Sequence, residues 1–258
     1  MEATFYKYQG TGNDFIIFDN RNDELQLTAR QVRDLCHRRF GIGADGLMLL
    51  NQHEDYDFEM VYFNADGRPS TMCGNGGRCL VKFAHDCGII KSEYNFLAVD
   101  GPHQASVNGD GTVSLRMKDV EGIVQTEGRF IVDTGSPHYI SLRDDVMHLD
   151  VYREGREIRY SKEFEKAGIN VNFVEQINND EILVRTYERG VEDETWSCGT
   201  GVTASALVCF HNDNGFNRVD VRTKGGNLVV EYDKRKNLFE NVWLIGPAEM
   251  VFKGIIKL

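Results

Sequence analysis

Apolar residues along the chain fall mostly into short runs, some alternating with polar positions, a pattern that suits strands better than helices. Such runs are Phe15 to Phe18, Leu47 to Leu50, Tyr56 to Phe63, Thr112 to Met117, Phe130 to Val132, Glu181 to Tyr187, Arg218 to Arg222, Leu228 to Tyr232 and Val242 to Ile245. Helical spacing is rarer. Thr28 can cap a segment with Val32, Leu35, Cys36 and Arg39 on one face, and Ser161 can cap a short one ending at Gly168. After Cys73-Gly74-Asn75-Gly76-Gly77-Arg78, the residues Leu80, Phe83, Ala84 and Cys87 form one apolar stripe before Gly88. After Cys198-Gly199-Thr200-Gly201, the segment Val202 to Phe210 is apolar nearly all round, which predicts a helix buried on every side.

The two Cys-Gly-x-Gly segments lie 125 positions apart, and other blocks repeat at similar offsets. Thr11-Gly12-Asn13 answers Thr134-Gly135-Ser136, Gly41-Ile42 answers Gly168-Ile169, and the run ending at Asn64 answers the run ending at Glu188. A collinear repeat of this kind indicates a duplicated structural unit. The pattern predicts an α/β (α+β) protein of two pseudo-symmetric halves, each a mostly antiparallel sheet or barrel around a central helix, with the active site in the cleft between them. The halves are expected at residues 1–117 and 118–246, with segment 247–258 able to return to the first.

The chain has 258 residues, 41% of them hydrophobic and 27% charged, which is an ordinary globular composition. A formal charge of -11 has the wrong sign for binding phosphate backbones, so a nucleic-acid partner is not expected. The N-terminal residues show no secretory pattern and no run approaches a membrane span, so a cytoplasmic protein without a membrane partner is expected. Six cysteines without a Cys-x-x-Cys pair fit thiols better than a zinc site or a disulfide framework, and no metal is expected. Cys36, Cys79, Cys87 and Cys209 fall on apolar helix faces or their ends, where packing explains them.

Cys73 and Cys198 differ, because each stands where a helix begins. Unpaired N–H groups and the positive end of the helix dipole there favour a thiolate and can hold an anion such as a carboxylate. Two thiols on opposite walls of one cleft suit the inversion of a stereocentre: one removes a proton and the other delivers one to the opposite face. The turns at Asn64-Ala65-Asp66-Gly67 and Glu188-Arg189-Gly190 precede the two thiols by nine and ten residues, so both should approach the same cleft. Glu188 could orient an ammonium or tune a thiol, Arg189 could fork onto a carboxylate, and His138 could set a thiol's charge state. Gly41-Ile42-Gly43-Ala44-Asp45-Gly46 fits the dinucleotide fingerprint in letters only, since a helical segment precedes it and a strand follows, the reverse of the required order.

Gly12-Asn13-Asp14-Phe15, Gly41 to Gly46, Asn64 to Gly67, Cys73 to Arg78, Pro137-His138, Asn170-Val171-Asn172-Phe173, Glu188-Arg189-Gly190 and Cys198 to Gly201 together give the chain a full-length resemblance to the diaminopimelate epimerases. The resemblance implies interconversion of LL- and meso-2,6-diaminopimelate without pyridoxal or another cofactor, in lysine and peptidoglycan-precursor biosynthesis, by a protein that is commonly a homodimer. It implies that Cys73 and Cys198 alternate as acid and base, and that His138 and Glu188 support the reacting centre. Asn13, Asn64, Asn170 and Arg189 would hold the substrate's ammonium and carboxylate groups, with Gly74, Asn75, Gly199 and Thr200 gripping the reacting carboxylate. The chain departs from the family pattern at Arg68, where Ser is frequent, at Ser136, where Asn is common, and in a longer loop at 191–195. Proline and hydroxyproline epimerases share the thiol pair but usually carry His where this chain has Asn75. A thiol redox protein or a non-catalytic amino-acid-binding module would leave the surrounding asparagines or the thiols without a role.

Overall fold

The computed structural model describes residues 1–126, 128–209 and 211–258, so Phe210, the last residue of the predicted apolar run, lies outside the described residues. The chain separates into two compact units, Met1–Leu115 with Gly246–Leu258, and Arg116–Ile245. The first contains β1 (Glu2–Gly10), β2 (Asn13–Asp19), α1 (Ala29–Cys36), β3 (Gly46–Asn51), β4 (Phe58–Asn64), α2 (Gly74–Asp86), β5 (Tyr94–Ala98), β6 (Gly101–Val107) and most of β7 (Val113–Arg116). In the second are β8 (Val120–Glu121), β9 (Val124–Thr126), β10 (Arg129–Asp133), β11 (Pro137–Leu142), α3 (Val151–Arg159), β12 (Asn170–Gln176), β13 (Glu181–Glu188) and β14 (Asp193–Thr195). It continues with α4 (Gly199–Val208), β15 (Asn214–Thr223), β16 (Gly226–Arg235) and β17 (Leu238–Gly246), and β18 (Glu249–Lys257) belongs to the first unit.

The two units repeat one pairing scheme. In the first, β1 is antiparallel to β2, β2 parallel to β3, β3 antiparallel to β4, β4 parallel to β5, and β5, β6 and β7 form an antiparallel run. In the second, β10 is antiparallel to β11, β11 parallel to β12, β12 antiparallel to β13, β13 parallel to β15, and β15, β16 and β17 run antiparallel. Even the flanking strand recurs, since β18 pairs with β1 and β9 with β10, both antiparallel. The sheets are therefore mixed, with antiparallel pairs in the majority.

Each unit curls its strands around one helix. The face of α2 carrying Cys79, Leu80, Phe83 and Ala84 is buried against β1, β2 and β6. Gly88, with φ of 92°, ends the turn beyond it. Helix α4 has strands β11, β12, β13, β15 and β16 around it and is buried along nearly its whole length. Its two buried hydroxyls are satisfied within the helix: Thr203 Oγ1 donates to the Gly199 carbonyl at 2.9 Å and Ser205 Oγ to that of Gly201 at 2.7 Å.

The two peripheral helices follow from their caps. Thr28 and Gln31 form a capping box at α1, which closes over a core of Ile16, Phe18, Val32, Leu35, Leu47 and Leu49. The helix expected from Ser161 to Gly168 is instead a series of turns, and the helix in this region is α3, capped by Asp150, whose side chain accepts from the Arg153 N–H at 3.1 Å. Packing explains the choice: α3 lies against Tyr187 so closely that a Cβ at Gly155 would stand 2.3 Å from that of Tyr187. Only a glycine at that position lets the helix seat its Val151 face in the core with Val171, Phe173 and Tyr187.

Candidate active site

Both predicted thiols stand at helix N-caps of nearly the same shape. Cys73 caps α2 with φ, ψ of -111°, 128°, and Cys198 caps α4 with -116°, 110°. Their carbonyls accept the first helical bonds, from Gly77 N–H at 2.7 Å and Val202 N–H at 2.8 Å. The N–H groups of Gly74, Asn75 and Gly76, and of Gly199, Thr200 and Gly201, are the donors that a helix start leaves without intrahelical acceptors.

In the first unit, Cys73 Sγ lies 3.6 Å from Asn13 Oδ1, and that oxygen also receives Asn75 Nδ2 at 3.4 Å. The orientation of both amides is settled by groups that can play only one role. Asn13 Nδ2 donates to the Asp45 carboxylate at 2.7 Å, and Asn75 Oδ1 accepts from Arg78 Nη2 at 3.2 Å. Asp45 is held in turn by Arg38 at 2.6 Å, which also forks onto Asp14 at 3.0 and 2.7 Å, and the buried Lys7 ammonium reaches Asp14 at 2.7 Å. Burial alone would raise the Asp14 carboxyl, but the hydrogen bonds and charges of Arg38 and Lys7 outweigh it and hold it at about 2. The Gly41 to Gly46 loop therefore serves as the support of Asn13. Asn64, at the end of β4, is exposed, and its turn is tied to the same support by the Ala65 N–H donating to the Asp45 carbonyl at 3.1 Å. Arg68 points into solvent with its backbone N–H on Asp66.

In the second unit, Cys198 is 8% exposed and its sulfur lies 3.5 Å from Thr200 Oγ1. His138 and Asn170 are register partners on parallel β11 and β12, and Asn172 follows two residues later on the same face. Asn172 Nδ2 donates to the Tyr139 carbonyl at 3.1 Å while its Oδ1 accepts from Thr186 Oγ1 at 2.9 Å. With the amide so fixed, the contact at 3.1 Å to His138 Nδ1 makes that nitrogen the acceptor and puts the ring proton on Nε2. Nε2 is buried and has no hydrogen-bond partner among the described residues. Burial pushes the His138 pKa down to about 3, with the Arg189 charge adding to the effect, so the ring is neutral near pH 7. The start of α4 presses onto this pair: a Cβ on Gly201 would stand 2.3 Å from Asn172 Oδ1.

Asn170 gives its amide hydrogens to Ser136 Oγ at 2.9 Å and the Pro137 carbonyl at 3.1 Å, and takes the Arg189 N–H on Oδ1 at 2.9 Å. The guanidinium of Arg189 is exposed and reaches the Ala167 carbonyl and Ser136 Oγ at 3.2 and 3.3 Å. Ser136 thus joins two predicted substrate ligands. Glu188 closes β13 and accepts from Thr195 Oγ1 at 2.9 Å, across a hairpin whose turn places Glu192 at φ of 60°.

The other four cysteines are different in kind. Burial raises Cys36 to about 12 and Cys87 and Cys209 to about 11, and Cys79 is pushed up further still, so all four remain protonated near neutrality. Sequence reasoning assigned no role to Arg38, Asp45, Arg78 or Asn172, and met Ser136 only as a departure where the family commonly has Asn. Asn172 carried a weak signal, since its i, i+2 spacing from Asn170 on a strand puts two amides on one face.

The family model for diaminopimelate epimerase matches residues 5–122 and 130–251. The chain is 48% identical over 256 residues to the diaminopimelate epimerase of Flavobacterium psychrophilum, covering 97% of this chain and 99% of the relative. It is 46% identical to that of Chlorobaculum tepidum over 96% and 99% of the two chains. Among solved structures, a phenazine biosynthesis protein of the PhzF family from Bacillus anthracis superposes with a TM-score of 0.77 at 14% identity, over 100% of both chains. A hydroxyproline epimerase from Agrobacterium vitis superposes with a TM-score of 0.68 at 13% identity, covering 100% of this chain and 93% of that one. These distant structures share the fold, and the sequence relatives settle the narrower question: the chain belongs to the diaminopimelate epimerase family.

Proposed function

We propose that the protein is an isomerase that interconverts LL- and meso-2,6-diaminopimelate by a cofactor-free, two-base thiol mechanism, serving lysine and peptidoglycan-precursor synthesis. In this reading the working form is a cytoplasmic homodimer. The observation that carries the chemistry is the pair of helix N-caps, alike in backbone angles and both occupied by cysteine.

One sulfur, as thiolate, takes the α-proton and becomes a thiol. The other, as thiol, gives its proton to the opposite face of the carbanion and becomes a thiolate. Each turnover exchanges the two protonation states, and proton exchange with solvent or the reverse reaction restores them. Negative charge accumulating on the substrate carboxylate is met by the helix-start amides of Gly74, Asn75, Gly199 and Thr200. Donors of this type are worth roughly 3 to 4 kcal/mol each in the barrier. A neutral His138 supports the reacting centre as an N–H donor rather than as a cation, and Glu188 offers its carboxylate to an ammonium. Arg189, Asn13 and Asn64 take the remaining charged groups. Asn170, with both amide hydrogens engaged, contributes through Oδ1, an acceptor suited to an ammonium.

In heavy water, LL-diaminopimelate should gain deuterium at one α-carbon as it epimerises, read by mass spectrometry and NMR. Cys73→Ala and Cys198→Ala should each abolish turnover. Full activity in either variant removes the two-base scheme, and exchange on proline or hydroxyproline without exchange on diaminopimelate moves the reading to another epimerase class.

A further inference from the structure

Arg78 heads the largest fully buried side chains, with no exposed surface, and it lies in α2 only five residues after Cys73. Among the described residues no carboxylate is within ion-pairing distance of it. Nη1 donates to the Gly74 carbonyl at 3.3 Å, Nη2 to Asn75 Oδ1 at 3.2 Å and Thr11 Oγ1 at 3.4 Å, and Nε has no partner among the described residues. The first turn of α2 contains no acidic residue. A cation is thus desolvated without a counter-charge and placed toward the positive end of a helix dipole, two unfavourable circumstances at once. Burial lowers its pKa to about 10, which leaves it charged near neutrality, and the anionic forms of Cys79 and Cys73 act against that lowering.

The surroundings narrow what the charge can serve. Cys79, its neighbour in α2, is held protonated by burial. Asp14 on β2 is already matched by Lys7 on β1 and by Arg38. Tyr8 on β1 and Lys82 bond to Asp86 at the far end of the helix. On β6, His103 pairs with Asp100, and Glu249 on β18 accepts from Gln9. Cys73 remains, at the N-cap of the same helix, joined to Arg78 through Asn75 and Asn13.

We infer that Arg78 is a positioning residue for Cys73: its buried charge lowers the cost of the thiolate, and its bond to Asn75 keeps Asn13 Oδ1 turned toward the sulfur to receive the thiol proton. The inference rests on Cys73 acting as acid and base, because that role needs both forms of the sulfur to be accessible. The charge lowers the cost of one form and the amide oxygen that of the other.

The test is the pH dependence of iodoacetamide alkylation at Cys73, followed in the full-length protein by peptide mass spectrometry, with Cys198 read in the same digests. Arg78→Gln keeps polar atoms near Gly74 and Asn75 and removes the charge, whereas Arg78→Met removes both. In each, the Cys73 profile should move to higher pH by about one unit, an approximately tenfold slower alkylation near neutrality, with the Cys198 profile unmoved. The value of kcat should fall by a similar factor with little change in KM. Arg78→Lys should recover part of the alkylation rate, and the melting temperature of Arg78→Met should equal or exceed the wild type's. An unmoved Cys73 profile in folded Arg78→Gln, or a large loss of melting temperature in Arg78→Met with Cys73 reactivity intact, overturns the inference and leaves Arg78 a packing residue. Should Arg78→Met fail to fold, the Cys73 profile of Arg78→Gln alone upholds or overturns the inference. Alkylation needs no substrate, so a wild-type protein that fails to exchange deuterium into diaminopimelate defeats the proposed function while the Arg78 result still stands or falls alone.

Discussion

The helices that begin after Cys73 and after Cys198 share their cap angles, their first hydrogen bond and the strand pairing around them, yet their sulfurs sit in different surroundings. Beside Cys73 stand two amides aligned between a carboxylate and a buried guanidinium. Beside Cys198 there is a threonine hydroxyl, and the start of its helix rests on a neutral histidine oriented by a third asparagine. Duplication has preserved the backbone that makes a helix start, while the groups that tune it have diverged. Two helix starts of one shape can therefore carry unequal electrostatics.

The sharpest way to probe this contrast is at the equivalent glycines Gly76 and Gly201. A Cβ at Gly201 would stand 2.3 Å from Asn172 Oδ1, whereas one at Gly76 would make ordinary contacts of 3.4 Å with Met48 and Phe15. Gly201→Ala should cost about 2 kcal/mol or more in stability and most of the activity. Gly76→Ala should be near neutral or slightly stabilising, since alanine is preferred to glycine in a helix by about 1 kcal/mol. Equal effects in urea melts and turnover assays would show that the two helix starts are packed alike after all.

Stability against acid should also distinguish the two sites. An unfolded chain takes a proton on His138 as pH falls below 6.5, but the folded protein does not until about 3, so this residue's contribution is complete above 6.5 and is lost progressively as pH falls toward 3. The loss is on the order of 5 kcal/mol at most. Asp14, held at about 2 against an ordinary 3.8, keeps its contribution until pH falls below 3.8. Denaturation measured between pH 7 and 4.5 should flatten in His138→Gln and be little altered in its pH slope by Asp14→Asn. The opposite ranking would show that His138 is charged when folded.

Asn172→Asp offers the His138 ring an acceptor in place of a donor, so the ring proton should move to Nδ1. The expected result is a changed tautomer in ¹⁵N NMR and a roughly tenfold to hundredfold lower kcat. An unchanged spectrum would remove Asn172 from its assigned part. The smallest effect is expected far from either sulfur. Thr28→Ala breaks the α1 capping box and should cost about 1 kcal/mol by thermal melting, with kcat unaltered.

The fold class was legible because duplication left matching blocks in register and because the α2 and α4 patterns are strongly periodic. Strands β1 and β18 were not read, for different reasons. The buried positions of β1 include Lys7, so its pattern is not a simple apolar alternation. Strand β18 is exposed or half-buried throughout and is defined by its partner rather than by a core face. Asp150 took the helix that Ser161 was expected to start, because tertiary contact at Gly155 outweighs a local capping signal. At the site, the glycine-flanked cysteines could be picked out because their chemistry is local. Asp45 and Asn172 could not, since their roles depend on which atom of a side chain distant in sequence they face, Asn13 Nδ2 for one and His138 Nδ1 for the other. Arg78 could be quoted within a motif, but only the folded structure reveals that it is fully buried with no carboxylate beside it among the described residues.

The row from Asp45 through Asn13 and Asn75 to Arg78 has a direction, because one terminus can only accept and the other can only donate. Exchanging those two charges would conserve composition and net charge, yet it would rotate both carboxamides by half a turn and confront Cys73 with an –NH₂ group. The sulfur would then meet a donor that favours the anion over the neutral thiol. Polarity along this wire settles which atom of Asn13 the sulfur meets.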